Sequence, residues 1–155
     1  DFFTTRGTLR EDNEKLLMLN TGLVTQSSNV LSEQKSKIGE NLSVLSGVVE
    51  LADRLNSNLL IGKYDVLGNF LHKNWVFKKQ FASKITNSDI DSYYQSAINF
   101  GAVCGKILGS GGGGFLLFYC DNDEVKNSVR RSLSNLEELT FKFEPEGSKI
   151  IYYVS

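Results

Sequence analysis

The chain has 155 residues, 41% hydrophobic and 23% charged, with 17 basic and 18 acidic residues for a formal charge of −1. That length and mix suit one domain with a buried core, and the near-zero charge argues against electrostatic capture by nucleic acid or membrane. No run approaches the ~20 apolar residues of a bilayer span. The start Asp1-Phe2-Phe3-Thr4-Thr5 lacks the basic segment of a signal peptide, and two cysteines with one histidine give no basis for a disulfide framework or a zinc site. A reducing, cytoplasmic setting without membrane or nucleic-acid partners is expected, with both thiols free.

Leu16 to Asn20 reads as a short apolar strand closed by Thr21-Gly22. A long helix is predicted from about Ser28 to Leu55, because Leu31, Ile38, Leu42, Leu45, Val49 and Ala52 form one apolar stripe. Asn56-Ser57-Asn58 is expected to break it. A second helix is predicted from about Leu59 to Phe81, with Leu60, Tyr64, Leu67, Leu71 and Trp75 on one face, completing a helical hairpin. Thr86-Asn87-Ser88-Asp89 is a cap cluster opening a third helix to about Phe100.

Two strands follow, Val103 to Leu108 and Phe115 to Cys120, joined by a glycine turn. The second has no polar alternation, as expected of a strand covered on both faces. Cys104 and Cys120 flank the turn nearly symmetrically, which makes them expected cross-strand neighbours. Asp121-Asn122-Asp123-Glu124 has the form of a capping box before a helix carrying Val125, Val129, Leu133 and Leu136. A hairpin of Leu139 to Phe143 and Ile150 to Val154, across Glu144-Pro145-Glu146-Gly147, is expected to close the fold. The order contains β-α-β-β-α-β: an α+β, ferredoxin-like core with an extra helical hairpin in the first crossover.

Five of the six residues from Gly109 to Gly114 are glycine, between apolar flanks. Glycine there signals positive φ or the close approach of another backbone, phosphate or sugar. The spacing Gly109-x-Gly111-x-x-Gly114 satisfies a dinucleotide fingerprint, but that fingerprint needs a helix next, and Phe115 to Cys120 reads as a strand. A P-loop needs Gly-Lys-Ser/Thr, and Gly114 is followed by Phe115-Leu116. An RNA-binding strand signature fits only its second half, since Gly111 and Gly113 replace its basic residue and first stacking aromatic. What the loop does offer is a set of unshielded N–H groups for an anion, room for a sugar, and the hydroxyl of Ser110.

Gly101-Ala102-Val103-Cys104-Gly105-Lys106-Ile107-Leu108-Gly109-Ser110-Gly111-Gly112-Gly113-Gly114-Phe115 resembles the third conserved motif of the GHMP kinases, the galactokinase, homoserine kinase, mevalonate kinase and phosphomevalonate kinase superfamily. Leu16-Leu17-Met18-Leu19-Asn20-Thr21-Gly22, Val30-Leu31-Ser32-Glu33-Gln34-Lys35 and Leu71-His72-Lys73-Asn74-Trp75-Val76-Phe77-Lys78-Lys79 resemble segments of its D-glycero-D-manno-heptose 7-phosphate kinases. The resemblance runs from about Leu16 to Ser155. Cys104 stands where that family usually has Gly, Ser110 where it has Ala, and Thr25 where it has an Arg after the Thr-Gly turn. No Pro-x-x-x-Gly-Leu-Gly-Ser-Ser loop is found; the only proline is Pro145.

The resemblance therefore implies that residues 1–155 are a single domain, the C-terminal half of a GHMP-type sugar kinase, with the N-terminal ATP-loop domain absent. It implies ATP and Mg2+ as cofactors of the full enzyme, bound mainly by the absent half, and no catalytic residue or metal ligand here. The implied reaction is phosphorylation of the anomeric hydroxyl of a heptose 7-phosphate in nucleotide-activated heptose synthesis. The isolated chain is expected to be inactive, its partners being the sugar phosphate and its own N-terminal domain. The alternatives are another GHMP small-molecule kinase and a non-catalytic ferredoxin-like ligand-binding module.

The glycine loop, Gly109, Ser110, Gly111, Gly112, Gly113 and Gly114, is the candidate nucleotide- or substrate-proximal element. Thr21 and Gly22 end a strand that opens on the same edge. Lys78 and Lys79 are candidates for neutralising a sugar phosphate, against the alternative of a solvated helix face. Trp75 is weighed between stacking on the sugar and a core role. Lys106 is weighed between facing phosphates and pairing with an acid, and His72 reads as structural. Asp89, Asp91, Asp121, Asp123 and Glu124 fall at helix starts, where capping and the dipole explain them. Alanine at Gly112 or Gly113 is expected to harm ligand fit more than folding, on the premise that the turn flexes outward.

Overall fold

A computed structural model describes residues 14–63, 66–142 and Tyr152. Among them, β1 (Leu16–Asn20) is followed by α1 (Ser27–Ser36), α2 (Leu42–Leu60), α3 (Leu67–Lys78) and α4 (Ser88–Asn99). Then come β2 (Cys104–Ile107), β3 (Phe115–Tyr119), α5 (Asp123–Ser132) and β4 (Glu137–Glu138). The four strands form one antiparallel sheet in the order β2-β3-β1-β4. This is the expected α+β, ferredoxin-like arrangement, with α1 to α4 lying in the first crossover.

Alternation along the strands sends Leu17, Leu19, Ile107, Leu116 and Phe118 to one core, where they meet Val30, Trp75, Ile90, Ala97 and Val129. Leu16, Cys104 and Tyr119 form a second cluster with Leu67 and Leu71 of α3. Both clusters sit at β2 and β3, so the apolar run Phe115–Tyr119 has cover on both sides. Trp75 and Phe118 are 1% and 0% exposed, and truncating either to alanine would cost about 3–5 kcal/mol.

The α4 cap is as expected: the Asn87 side chain accepts from the N–H groups of Asp89 and Ile90. The α5 cap is one residue later than expected. Asn122, not Asp121, accepts from the Val125 N–H, leaving Asp123 and Glu124 in the first turn, where the dipole favours them.

The single helix expected over Ser28 to Leu55 is two helices, separated by a turn at residues 37–41. The stripe that predicted it is not the buried face: Leu31, Ile38, Leu42, Leu45 and Val49 are 38–62% exposed. The α2 face that packs on α3 is selected by fit instead. Gly47 brings the helices so close that a Cβ there would stand 2.9 Å from the Phe77 ring, and Leu51 on the same side is buried.

Nor do Asn56-Ser57-Asn58 end α2. Ser57 Oγ and Asn58 Nδ2 donate back to the carbonyls of Asp53 and Arg54, which keeps these residues inside the helix. The stop is Gly62, at φ +76°. With Gly62 N donating to Leu59 O and Lys63 N to Asn58 O, the end is a Schellman motif. The second helix accordingly starts at Leu67 rather than Leu59; Tyr64 of its predicted stripe lies outside the described residues.

At the far edge, β4 is the pair Glu137–Glu138 rather than Leu139 to Phe143. It is followed by one more bond, Leu139 N to Met18 O at 2.9 Å. Residues 140–142 and Tyr152 are in no strand, and the rest of the expected closing hairpin falls outside the described residues. Cys104 and Cys120 are free and buried, but they are not cross-strand partners: Cys104 faces Tyr119. They belong to different clusters, and burial pushes their thiols up to about 12 and about 11.

Candidate functional site

The segment from Leu108 to Gly114 leaves β2 and enters β3, with Leu108 N bonded to Phe115 O at its base. Gly109, Gly111, Gly112 and Gly114 have φ of +71°, +101°, +74° and +85°, in the region that L side chains avoid. The expectation of positive φ therefore holds at these four positions.

The close approach comes from the chain itself. A Cβ on Gly111 would stand 2.8 Å from Ile85 Cα, and one on Gly112 would stand 2.8 Å from both the Lys84 carbonyl oxygen and the Thr25 hydroxyl. One on Gly113 would overlap the Leu23 carbonyl. The loop is wedged between residues 23–25 and 84–85, so the premise that it flexes outward to accept a side chain is incorrect.

Hydrogen bonds hold that wedge. Gly112 N donates to Ile85 O at 2.8 Å, and Gly114 N to Leu23 O at 3.1 Å. Gly112 O accepts from Thr25 Oγ1 at 2.9 Å and from Asn87 Nδ2 at 3.2 Å. Gly114 O accepts from both Thr21 N and Thr21 Oγ1. The backbone N–H groups of Gly109, Ser110, Gly111 and Gly113 meet no acceptor among the described residues. A rigid backbone with unspent donors is the form of an anion-binding nest.

Open clefts surround the loop. One of about 380 Å³ lies between the loop and Leu23, Val24, Thr25 and Ser27. Another of about 370 Å³ is lined by Leu31, Gln34, Asn74, Lys78, Gly109 and Ser110. A third, of about 350 Å³, lies behind Gly112 beside Thr25, Asn29, Ser83, Lys84 and Asn87. Ser83 of this last cleft is tied to α1 by Glu33, whose carboxylate accepts from Ser83 N, Ser83 Oγ and Lys37 Nζ. Those bonds, the Lys37 one foremost, pull its pKa down to about 2.

The structure gathers most of the predicted residues here, in different postures. Thr21 is buried and spends its donors on Gly114, while Gly22 turns the chain at φ +66° with its N–H on Asn20 Oδ1. Ser110 Oγ bonds Ser27 Oγ at 3.2 Å. Lys78 Nζ donates to Ile107 O at 2.9 Å and Gly109 O at 2.6 Å. Its pKa is pushed down to about 8, by burial first and then by the charge of Lys106. Lys106 is lowered by burial and donates to Asn74 Oδ1, an amide rather than an acid.

Trp75 lies in the core against Tyr94 and does not border the loop clefts. Lys79 stands 5.5 Å over its ring, and His72 Nδ1 meets the Tyr94 hydroxyl at 3.2 Å. Ile85, Leu23 and the Glu33–Ser83 tie were not singled out from the sequence, and Asn87 was read only as a helix cap. Thr25 was noted only as a departure, yet its hydroxyl is one of the loop's anchors.

The sheet order, the α1–α4 crossover and the glycine loop together define the class of protein. The sequence model of the family described as GHMP kinases C terminal matches residues 55–138, over half of the chain, and the chain belongs to that family. It is 26% identical over 134 residues to the D-glycero-alpha-D-manno-heptose 7-phosphate kinase of Campylobacter jejuni, covering 83% of this chain and 39% of that protein.

Among solved structures, it is similar to Streptococcus pneumoniae phosphomevalonate kinase in complex with phosphomevalonate and AMPPNP. That match has a TM-score of 0.68 at 17% identity, over 80% of this chain and 37% of the other. A putative sugar kinase from Campylobacter jejuni gives 0.58 at 20% identity, over 90% and 39%. These two likenesses establish the fold. The chain spans about two-fifths of the length of these relatives. No helix among the described residues is long and apolar enough to cross a membrane.

Proposed function

We propose that this chain is the C-terminal domain of an ATP-dependent sugar kinase that phosphorylates the anomeric hydroxyl of D-glycero-D-manno-heptose 7-phosphate. The observation that carries the reading is the wedged glycine loop, held from both sides with four N–H groups unspent beside an open cleft. Phosphoryl transfer is mostly positioning and charge stabilisation, and a pre-set row of N–H groups contributes to both without reorganising. The choice of sugar rests on the 26% identical heptose 7-phosphate kinase.

In this reading the other domain of the full-length protein carries the nucleotide phosphate loop and the acidic catalytic residue. ATP with Mg2+ supplies the phosphoryl group and neutralises its charge. The present chain supplies the loop and the Leu23–Ser27 wall against which the acceptor lies, with the sugar phosphate and the N-terminal domain as its partners in the cytoplasm. Gly22, next to that wall, and the Ser110 hydroxyl border the reacting pair in the same proposal.

A second acceptor class has a specific observation behind it. Thr25, where the heptose kinases usually carry Arg, bonds the loop rather than presenting a cation. An acceptor needing no extra positive charge there, such as another GHMP substrate, fits that change. The test is turnover of ATP by the full-length product of the reading frame containing this chain. Heptose 7-phosphate, unphosphorylated sugars and mevalonate are offered in turn. Turnover confined to heptose 7-phosphate supports the proposal, and turnover confined to another acceptor replaces the sugar. Robust turnover by the 155-residue chain alone would overturn the half-enzyme reading.

A further inference from the structure

Lys78 is the last residue of α3, and its ammonium bridges two carbonyls that straddle the exit of the chain from β2. It donates to Ile107 O at 2.9 Å and to Gly109 O at 2.6 Å. One helical turn earlier, on the same face of α3, Asn74 accepts from Lys106 of β2. Two points of α3 thus grip two successive parts of β2 and the loop entry. The ring of Trp75, buried beneath Lys79, stiffens the turn from which Lys78 projects.

An ammonium has three donors, and two of these are committed to the backbone. The groups facing Lys78 are Asn74 on its own helix, Leu31 and Gln34 from α1, Phe81 beyond α3, and Ser110 from the loop. Lys106 is the charged group acting on it, and neither lysine has a carboxylate partner among the described residues. A half-buried lysine held this way is a strut, whereas a phosphate-binding lysine needs a mobile head.

We propose that Lys78 is a positioning residue: it clamps the carbonyls of Ile107 and Gly109, fixing where the glycine loop leaves β2, and does not itself bind the substrate phosphate. The proposal deepens the kinase reading and rests on it for the role of the loop. The clamp is a feature of this chain and is measurable without turnover. Charge-assisted bonds weaken when the donor becomes neutral, and the ammonium of Lys78, lowered to about 8 by burial and by Lys106, becomes neutral within an accessible range. The entry of the loop therefore loosens as pH rises through that value.

The 155-residue chain, labelled with 13C at glycine and isoleucine carbonyls, is titrated from pH 6.5 to 10. The Ile107 and Gly109 carbonyl signals are expected to shift together with a midpoint near 8. In Lys78→Arg, which stays charged, the titration is expected to vanish. In Lys106→Met it is expected to persist with a higher midpoint, because a like charge has been removed. No shift of either carbonyl in the wild-type chain overturns the proposal, as does a shift that disappears in Lys106→Met; the wild-type arm needs no variant to fold.

In the full-length enzyme, Lys78→Met is expected to lower kcat tenfold or more while changing KM for the sugar phosphate less than threefold. A tenfold rise in KM with kcat kept would make Lys78 a phosphate ligand and overturn the clamp. Inactivity of the wild-type enzyme with every acceptor would count against the kinase reading alone, leaving the carbonyl titration to decide the clamp.

Discussion

Thr21 gives both of its donors to one acceptor: its N–H at 2.8 Å and its hydroxyl at 2.7 Å meet the carbonyl of Gly114. The Thr21 hydroxyl oxygen in turn accepts from the Leu23 N–H at 3.2 Å. A single buried hydroxyl thus locks the end of β1 to the end of the glycine loop. Thr21→Val keeps the shape and removes the hydroxyl, at a cost of about 1 kcal/mol. Thr21→Ser should lose less. Urea unfolding at neutral pH compares the three, and equal midpoints for Val and wild type would show that the N–H bond alone holds the junction.

Alanine in the loop is expected to damage the fold itself. Gly112→Ala meets positive φ, costing roughly 1–2 kcal/mol, plus the Lys84 carbonyl and the Thr25 hydroxyl. Gly113→Ala meets the Leu23 backbone directly, and backbone cannot rotate away as a side chain can. Gly109→Ala has open space but φ +71°, so only the strain applies. Gly39→Ala, with open space and no positive φ, is the control. Thermal melts should rank Gly113 and Gly112 below Gly109, and Gly109 below Gly39.

Acid should release the Glu33 tie. The Glu33 carboxylate titrates at about 2, against 4.5 when free, chiefly through Lys37 and the Ser83 N–H. A depressed carboxylate pKa contributes stability that is present above about pH 4.5 and lost as pH falls toward 2. Unfolding free energies of wild type and Glu33→Gln should differ above pH 5 and converge near pH 2. Parallel curves over that range would mean that the carboxylate charge contributes nothing to the tie.

The two thiols should be silent until the chain unfolds. Burial raises Cys104 to about 12 and Cys120 to about 11, so neither is a thiolate at pH 8. A thiol reagent at that pH should react slowly with the native chain and titrate two groups in denaturant. Two groups reacting within seconds in the native state would contradict this burial.

Local signals in the sequence located β1, β2, β3 and the α4 cap, because apolar runs and Asx caps act within a few residues. The α1–α2 break was not legible. Leu31, Ile38, Leu42, Leu45 and Val49 keep helical spacing straight through residues 37–41, and nothing in that spacing says which face is covered. The covering face follows from Gly47 against Phe77, a contact between helices. The glycines were legible as positions needing special backbone, but the atoms pressing on them, Leu23, Thr25, Lys84 and Ile85, are 26–90 residues away in sequence. For the same reason Lys78 read as a phosphate-neutralising or solvated cation: its partners lie on β2 and in the glycine loop.

The contrast between two glycine turns also marks where this chain tolerates added length. Gly39 sits in an exposed turn with nothing within 4 Å, and such loop tips accept insertions. Between Gly109 and Gly114 the ties to Lys78, Ile85, Thr25, Leu23 and Thr21 fall at the start, at Gly112 and at the end of the loop. One extra residue there would throw the later ties out of step with their partners. A reporter peptide or fusion partner therefore belongs at Gly39, and in homologous chains the distance from Gly109 to Gly114 should stay constant while the turn at residues 37–41 varies in length.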